Sequence, residues 1–461
     1  MVNRLSRTLS IADYFSLGWG TMVGVGWLVV MDDWLLRGGP LGGVLGFAIG
    51  GVLLLPIGFV YGKWVMMMPD AAGEAAYTAK VFARPVSFYT GWMMLLAYFI
   101  VCPWEAVAVG RLAGFIFPAL NKVVLYNISG KPVYLPHLVI GLGLTGLVTA
   151  VNYHGIRLSA TFQNWTAFGT LALFLVFVGF GVTRGSPSNL PPLFTHTPFV
   201  SILLVLQIVP YFMTGFESVT KAAEEARPEF RARGFSLAIF VAIVVGFVFY
   251  IVVIAAVGFV APWRQYTAAP FMTAVAFEHA TGARWIVSVI LSAALLSLFK
   301  VFNGNFVAAS RLLFAMARRG LLKEQFASIH PRNHTPASAI VATGIATGLC
   351  MFLGGAILVP ISEVGSVASA AGWFAVCAAF LYTKPRTRDY LIALLGALVG
   401  LSMMLMKFFP FVPGHFSGWE WLALGIWLLL GTLAGHPREP RPSGKQLLSS
   451  TGVRTDASET D

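Results

Sequence analysis

The chain has 461 residues, 57% of them hydrophobic and only 11% charged, with a formal net charge of +12. Soluble globular chains carry about 25% charged residues, so this composition excludes a water-soluble protein of this length. The apolar residues gather in runs of roughly 20, the length at which a helix crosses a hydrocarbon core, rather than in the alternating segments of about ten that a β-barrel requires.

In chain order, twelve runs qualify as membrane spans: 13–36, 41–67, 86–117, 135–152, 159–182, 200–224, 235–261, 284–316, 337–359, 361–383, 390–408 and 416–435. Several exceed the bilayer thickness and must tilt or project beyond it. Arg4 and Arg7 precede the first run. That run continues into a long Gly-rich helix with no small-residue cleavage site, so 1–12 is an N-terminal segment and no cleavable leader is expected. Residues 436–461, rich in Pro, Ser, Thr and Arg, have the composition of a disordered tail. Cys102, Cys350 and Cys377 lie inside apolar runs without pairing or metal spacing and are expected to be small buried hydrophobes.

The positive charge could suggest nucleic acid, but its distribution argues for topology. With the N-terminus inside, 22 Lys and Arg fall on the inner side and 7 on the outer, as the positive-inside rule requires. Both termini are then cytoplasmic in a multi-pass protein of the cell membrane. The partners expected are the lipid bilayer and a small molecule, not nucleic acid, and the chain is expected to act as a monomer or homodimer.

Two spans carry helix breakers at mid-length. Span 1 contains Gly18, Gly20, Gly24 and Gly26, and span 6 contains Pro210 and Gly215. Glycine is costly in a helix interior, and proline removes a backbone bond and clashes with the preceding turn. Gly20 and Gly24 alone also fit close helix packing. A matching break five spans later fits broken helices in two related halves, the pattern that marks the midplane binding site of secondary transporters. A dinucleotide reading of Gly18-x-Gly20 fails, because no strand precedes it and no acidic residue follows at the βαβ distance.

Four stretches resemble one family. LGWGTMVGVGWLV (17–29) is similar to the first-helix motif of the amino acid–polyamine–organocation permeases. MMPDAAGEAAYTAKVFARPVSFYTGW (67–92) resembles their segment between helices 2 and 3, and VPYFMTGFESVTKAAEEARPEFR (209–231) their helix 6 and the loop after it. NGNFVAASRLLFAMARRGLLKEQFASIHPRNHTPASAI (303–340) resembles their helix 8 and beyond. The resemblance implies an all-α integral membrane protein with the leucine-transporter-like fold. Residues 13–182 and 200–383 would be inverted five-helix repeats, and 390–435 two appended helices. It also implies a permease for amino acids or related amines, working by alternating access as a proton-coupled symporter or an exchanger. A nutrient sensor on the same fold, or a polyamine exchanger, is the alternative.

The resemblance places a substrate carboxylate on the backbone amides of Gly24, Val25 and Gly26, where the positive end of the outer half-helix favours an anion. Val25 stands where relatives often have serine, and Thr21 remains as a hydroxyl. Carbonyls around Pro210, Met213, Thr214 and Gly215 would accept from the substrate amine. Tyr211 stands where relatives place an aromatic gate; otherwise it is a core or interfacial tyrosine. Tyr98, Cys102 and Asn305 would line the pocket.

Four ionisable residues lie within spans: Glu105, Arg111, Glu217 and Lys300. A charge at mid-bilayer costs roughly 3 kcal/mol even on the lenient insertion scale, so each is a functional candidate. Lys300 is expected to pair with Glu217 or Glu105, either as a coupling group or as an ion pair that locks helices. Glu105 and Arg111, six positions apart, sit on different faces. Asp32 and Asp33 are vestibule charges or partners for Arg37. Some relatives carry a lysine in helix 5 at the position sodium takes in sodium-coupled members; the matching residue here is Thr170, which leaves either a proton or Na+ as coupling ion. The charged stretches 222–234 and 311–320 are expected to cap helices or lie at the membrane surface, or else to form gating salt bridges. No HExxH, phosphate-binding loop or GxSxG motif is present, no cofactor is implied, and no cluster of catalytic residue types marks an enzyme.

Overall fold

A computed structural model describes residue 5 and residues 7–435 apart from 270 and 283. The tail at 436–461, with its expected disorder, lies outside the described residues.

The protein is a helical bundle. Helix α1 (Ile11–Met22) starts at a capping box, in which the Asp13 carboxylate accepts from the Ser10 N–H at 2.7 Å while the Ser10 hydroxyl accepts from Asp13 N–H. After an unwound stretch come α2 (Gly26–Val29) and α3 (Met31–Met67). The first expected span is therefore not one helix. It is divided at 23–25, and its outer end runs into α3, which turns at Gly39 where φ is +69°. The short α4 (Glu74–Ala79) precedes α5 (Arg84–Phe99) and α6 (Val101–Ile116), which share one span with a joint at Ile100.

The connection after α6 folds as an antiparallel hairpin of β1 (Val124–Ile128) and β2 (Lys131–Tyr134). Ser129 and Gly130 at its tip both have positive φ, as a two-residue hairpin turn demands. Helices α7 (Leu135–His154) and α8 (Ile156–Arg184) meet at Gly155, with φ +148°. The second broken region comprises α9 (Pro198–Leu206), α10 (Val209–Met213) and α11 (Ser218–Lys221). Next come α12 (Arg233–Val260), α13 (Met272–Thr281), which the sequence gave no sign of, and α14 (Arg284–Arg318). The rest is α15 (Ala337–Cys350), a 3-10 stretch over 351–357, α16 (Leu358–Tyr382), α17 (Thr387–Phe408) and α18 (Gly418–Ala434).

Among the described residues, 9 helices are long and apolar enough to cross a membrane. Their outward positions are apolar; Trp165, Leu175 and Leu395, for example, are exposed. The interior is built by α3 against α12 and α9, and by α14 against α1, α5, α6 and α8. Glycines on α3 let it approach α12. A methyl group at Gly51 would overlap both the Cβ and the ring of Phe247, so the two backbones sit closer than any side chain permits.

The substitution Gly51→Ala should therefore overpack this seam, at about 1–3 kcal/mol. Thermal unfolding of the purified protein in detergent checks it: the midpoint should fall by several degrees, whereas an unchanged midpoint would mean that α3 and α12 part freely.

Candidate functional site

The unwound stretch between α1 and α2 frees backbone groups in the middle of the bundle. Val23 is extended (φ −91°, ψ 95°), and the helical bond pattern resumes only from Val25. Buried backbone groups need partners, and neighbouring helices supply them. Asn305 Nδ2 donates to Thr21 O at 3.0 Å, and Tyr250 OH to Met22 O at 3.0 Å. Ser297 Oγ reaches Val23 O at 3.1 Å and Gly24 O at 2.8 Å. The Lys300 ammonium donates to Val23 O and, at 3.5 Å, to Gly20 O, and lies 4.3 Å from the centre of the Trp19 ring. On the other side of Gly24, a Cβ would stand 2.6 Å from Glu105 Oε1, so the Glu105 carboxylate lies against the break.

The second break faces the first. Thr214 is extended and Gly215 has φ +138°. A Cβ on Gly215 would stand 2.6 Å from the Met22 nitrogen, so only glycine allows the two interrupted backbones to touch. Ser218 Oγ donates to Thr21 Oγ1 at 3.3 Å across the junction. Thr214 Oγ1 donates to Pro210 O at 2.6 Å and contacts Ser369, Tyr211 N–H donates to Ser366 Oγ at 3.2 Å, and Gly215 N–H to Glu217 Oε2 at 3.1 Å.

Between the breaks lies a cavity of about 20 Å³ bounded by Thr21, Met22, Gly24, Gly26, Val101, Trp104, Glu105, Tyr211, Phe212 and Val301. That holds one water at most, so the site is closed. A basin of about 670 Å³ opens elsewhere, lined by Arg111, His137 and Phe271 among others. It touches neither break, so the small cavity marks the site despite its size.

The structure gathers some expected residues and turns others away. Thr21, Gly24, Gly26, Glu105 and Tyr211 meet at the cavity. Val25 contributes only its backbone. Tyr98 and Cys102 do not line it; Val101, Trp104 and Glu105 do. Tyr98 lies instead beneath the Lys221 ammonium, 5.7 Å from the ring centre, and Cys102 Sγ turns back to Tyr98 O. Met213 packs beside Met22 at Gly246, outside the cavity lining, and Asn305 serves the backbone of the break. Thr170 donates to Thr166 O at 2.8 Å within its own helix. Lys300 forms a salt bridge with neither expected partner, Glu105 or Glu217, among the described residues; its ammonium goes to the carbonyls of Val23 and Gly20. Glu217 lies instead with Gly215, Glu74 and Lys221.

Ion pairs close the bundle on either side of the cavity. Toward the N-terminal segment, buried Lys221 pairs with Glu74, Arg311 with Glu225 at 3.4 Å, Arg318 with Glu224, and Arg319 with Asp70 at 2.5 Å. The charged stretches 222–234 and 311–320 thus bind each other. Toward the opposite end, Arg37 bridges Asp33 at 2.7 Å and Glu363 at 2.9 Å, and Lys407 also pairs with Glu363. Asp33 is therefore the partner of Arg37, and Arg111 lies over the Phe271 ring, 5.9 Å from its centre.

Sequence reasoning passed over Tyr250, Ser297 and Glu363, and a polar chain in which Asn303 bridges Gln163 at 2.9 Å and Asn152 at 2.9 Å. Part of the signal was present: Tyr250 is a lone polar group in an apolar run, and Ser297 stands three positions before Lys300, on the same helix face.

The family model described as "Amino acid permease" matches residues 9–433. The chain is 26% identical over 440 residues to the methylthioribose transporter of Bacillus subtilis, covering 93% of this chain and 92% of that protein. It is 23% identical over 446 residues to the branched-chain amino acid permease BcaP of the same organism, covering 93% and 92%. With the aromatic amino acid transport protein AroP of Escherichia coli K12 it shares 24% over 364 residues, 76% of this chain and 75% of that one.

One clamp lies outside the spans and can be titrated. Burial pushes the Asp70 carboxyl up, but the Arg319 guanidinium and the Ala72 N–H more than reverse this and hold it below its ordinary value of 3.8. A carboxyl lowered on folding adds stability above its unfolded pKa and loses it as pH falls through the folded value. The thermal midpoint should therefore drop below about pH 4, and Asp70→Asn should flatten that part of the profile. An equal acid slope in wild type and variant would show that the pair adds no stability.

Proposed function

The chain belongs to the amino acid permease family, and on that premise we propose that it is a secondary active transporter. It moves amino acids or related amines across the cell membrane by alternating access around the two broken helices. Twelve spans are proposed, with 13–182 and 200–383 as inverted repeats, 390–435 appended, and both termini in the cytoplasm. The excess of Lys and Arg on the N-terminal side supports this orientation.

One observation carries the reading: two interrupted helices, five spans apart, touch at Gly215 and Met22 beside a closed cavity. Interrupted helices at mid-bilayer are tolerated where they line a site buried in protein. With ion pairs on both sides, the geometry is that of an occluded state. Release of the Asp70, Glu74, Glu224 and Glu225 pairs would open one side, and release of the Arg37 bridge the other.

Coupling is assigned to Lys300 and to protons rather than Na+. The ammonium occupies the carbonyls of Gly20 and Val23, the oxygen ligands a sodium ion would otherwise recruit at the break. When Lys300 gives up its proton, it stops neutralising those carbonyls and the break is free to rearrange. The same charge that relatives bring from helix 5 comes here from α14, which accounts for Thr170 in the helix-5 position. Glu217 fixes the second break through Gly215 N–H and sits beside the Glu74–Lys221 pair, a position suited to relaying closure.

Uptake into proteoliposomes tests this. An inward proton gradient should drive uptake, and replacing Na+ by K+ should leave it unchanged. Lys300→Met should reduce it at least 100-fold while the variant still purifies as a folded protein. Full uptake by Lys300→Met, or strict dependence on Na+, would rule out the assignment.

A further inference from the structure

The place expected to receive a substrate carboxylate already holds one, from Glu105 of α6, which lines the closed cavity beside Gly24 and Gly26. The carboxylate is pressed onto the break: a Cβ on Gly24 would stand 2.6 Å from Glu105 Oε1. A second carboxylate would find this place filled and a like charge beside it, in a setting where burial magnifies the repulsion.

The other oxygen of Glu105 is free. The residue is 2% exposed and Oε2 has no partner among the described residues, although Glu105 borders the closed cavity. A buried acceptor left unmet is costly, and such groups normally find a donor. Beside it the Tyr211 hydroxyl is also unpartnered, and the remaining wall is apolar or aromatic, from Val101, Trp104, Phe212 and Val301. The charge balance agrees. The Lys300 ammonium, held on the other side of the break, offsets Glu105, so the resting site is neutral and a substrate carboxylate would leave it negative.

We propose that Glu105 is a built-in stand-in for the substrate carboxylate, so that the transported solute carries none and instead donates a hydrogen bond, from a hydroxyl or an ammonium group, to Glu105 Oε2. The assignment rests on the transporter reading above and narrows its substrate class: amines and hydroxylated neutral solutes with an apolar body, rather than free amino acids.

Matched ligands test it on the purified full-length protein in detergent, by thermal shift and isothermal titration. Each set comprises an amino acid, its decarboxylated amine and its amino alcohol, and a second series comprises methylthioribose and simple polyols. At least one carboxylate-free compound should bind tenfold or more tightly than the amino acids; the amine and polyol arms tell which donor is preferred. Tighter binding of an amino acid than of its carboxylate-free partners, or binding by no compound of either series, would overturn the proposal.

Two variants give readouts independent of the ligand set. Glu105→Gln, which keeps the volume, should weaken binding of the preferred solute at least tenfold. Glu105→Ala should lose stability that millimolar acetate restores, with no such effect in wild type. Unchanged affinity in Glu105→Gln sinks the proposal even if Glu105→Ala fails to fold. A solute that binds as expected but is not carried into proteoliposomes would refute the transporter reading and leave the role of Glu105 standing.

Discussion

A helix interrupted inside hydrocarbon must find new partners for every backbone group it releases, because no water is there to serve instead. Most of what is unusual in this protein answers that requirement. Asn305, Tyr250, Ser297 and Lys300 take the carbonyls from Gly20 to Gly24, and the Glu105 carboxylate lies against Gly24. These side chains come from α6, α12 and α14, so the break acts as the hub on which three other elements are oriented. Such a network is strong when every member is satisfied and costly when one is missing, which gives the closed arrangement a definite geometry.

Charge is distributed in layers around that hub. Lys300 and Glu105 face the break with opposite signs, and two sets of ion pairs lie on either side. The buried pair of Lys221 and Glu74 and the half-exposed pair of Arg318 and Glu224 differ in kind. Breaking a buried pair leaves a charge stranded at a cost of several kcal/mol, whereas an exposed pair is worth about 1 kcal/mol or less. On the proposed alternating-access reading, opening on the N-terminal side would be governed by the buried pairs Lys221–Glu74 and Arg311–Glu225, with the surface pairs setting alignment.

The helical bundle could be read from the sequence because its evidence is local: apolar runs, capping residues, and glycine or proline where a helix stops. Both breaks announced themselves through Gly24, Gly26, Pro210 and Gly215. What sequence could not supply was register across space. Tyr98 and Cys102 were expected at the cavity, yet Val101, Trp104 and Glu105 line it, a difference of one position that spacing alone does not decide. Tyr250 and Ser297 sit in apolar runs that looked uniform, and only the fold brings their single hydroxyls to the break. The hairpin of β1 and β2 was hidden because the connection after α6 was read only for what it joined.

Helix α14 carries Ser297, Lys300 and Asn305 to the break and, farther along the same unbroken rod, Arg311 and Arg318 to the ion pairs. At 100° and 1.5 Å per residue, these two groups keep their bearings only at their present separation. The number of residues between them is fixed by that geometry. One added or lost residue between Asn305 and Arg311 would turn the arginines about 100° away from their carboxylates while the break stayed satisfied. The interval works as a ruler, set by its length.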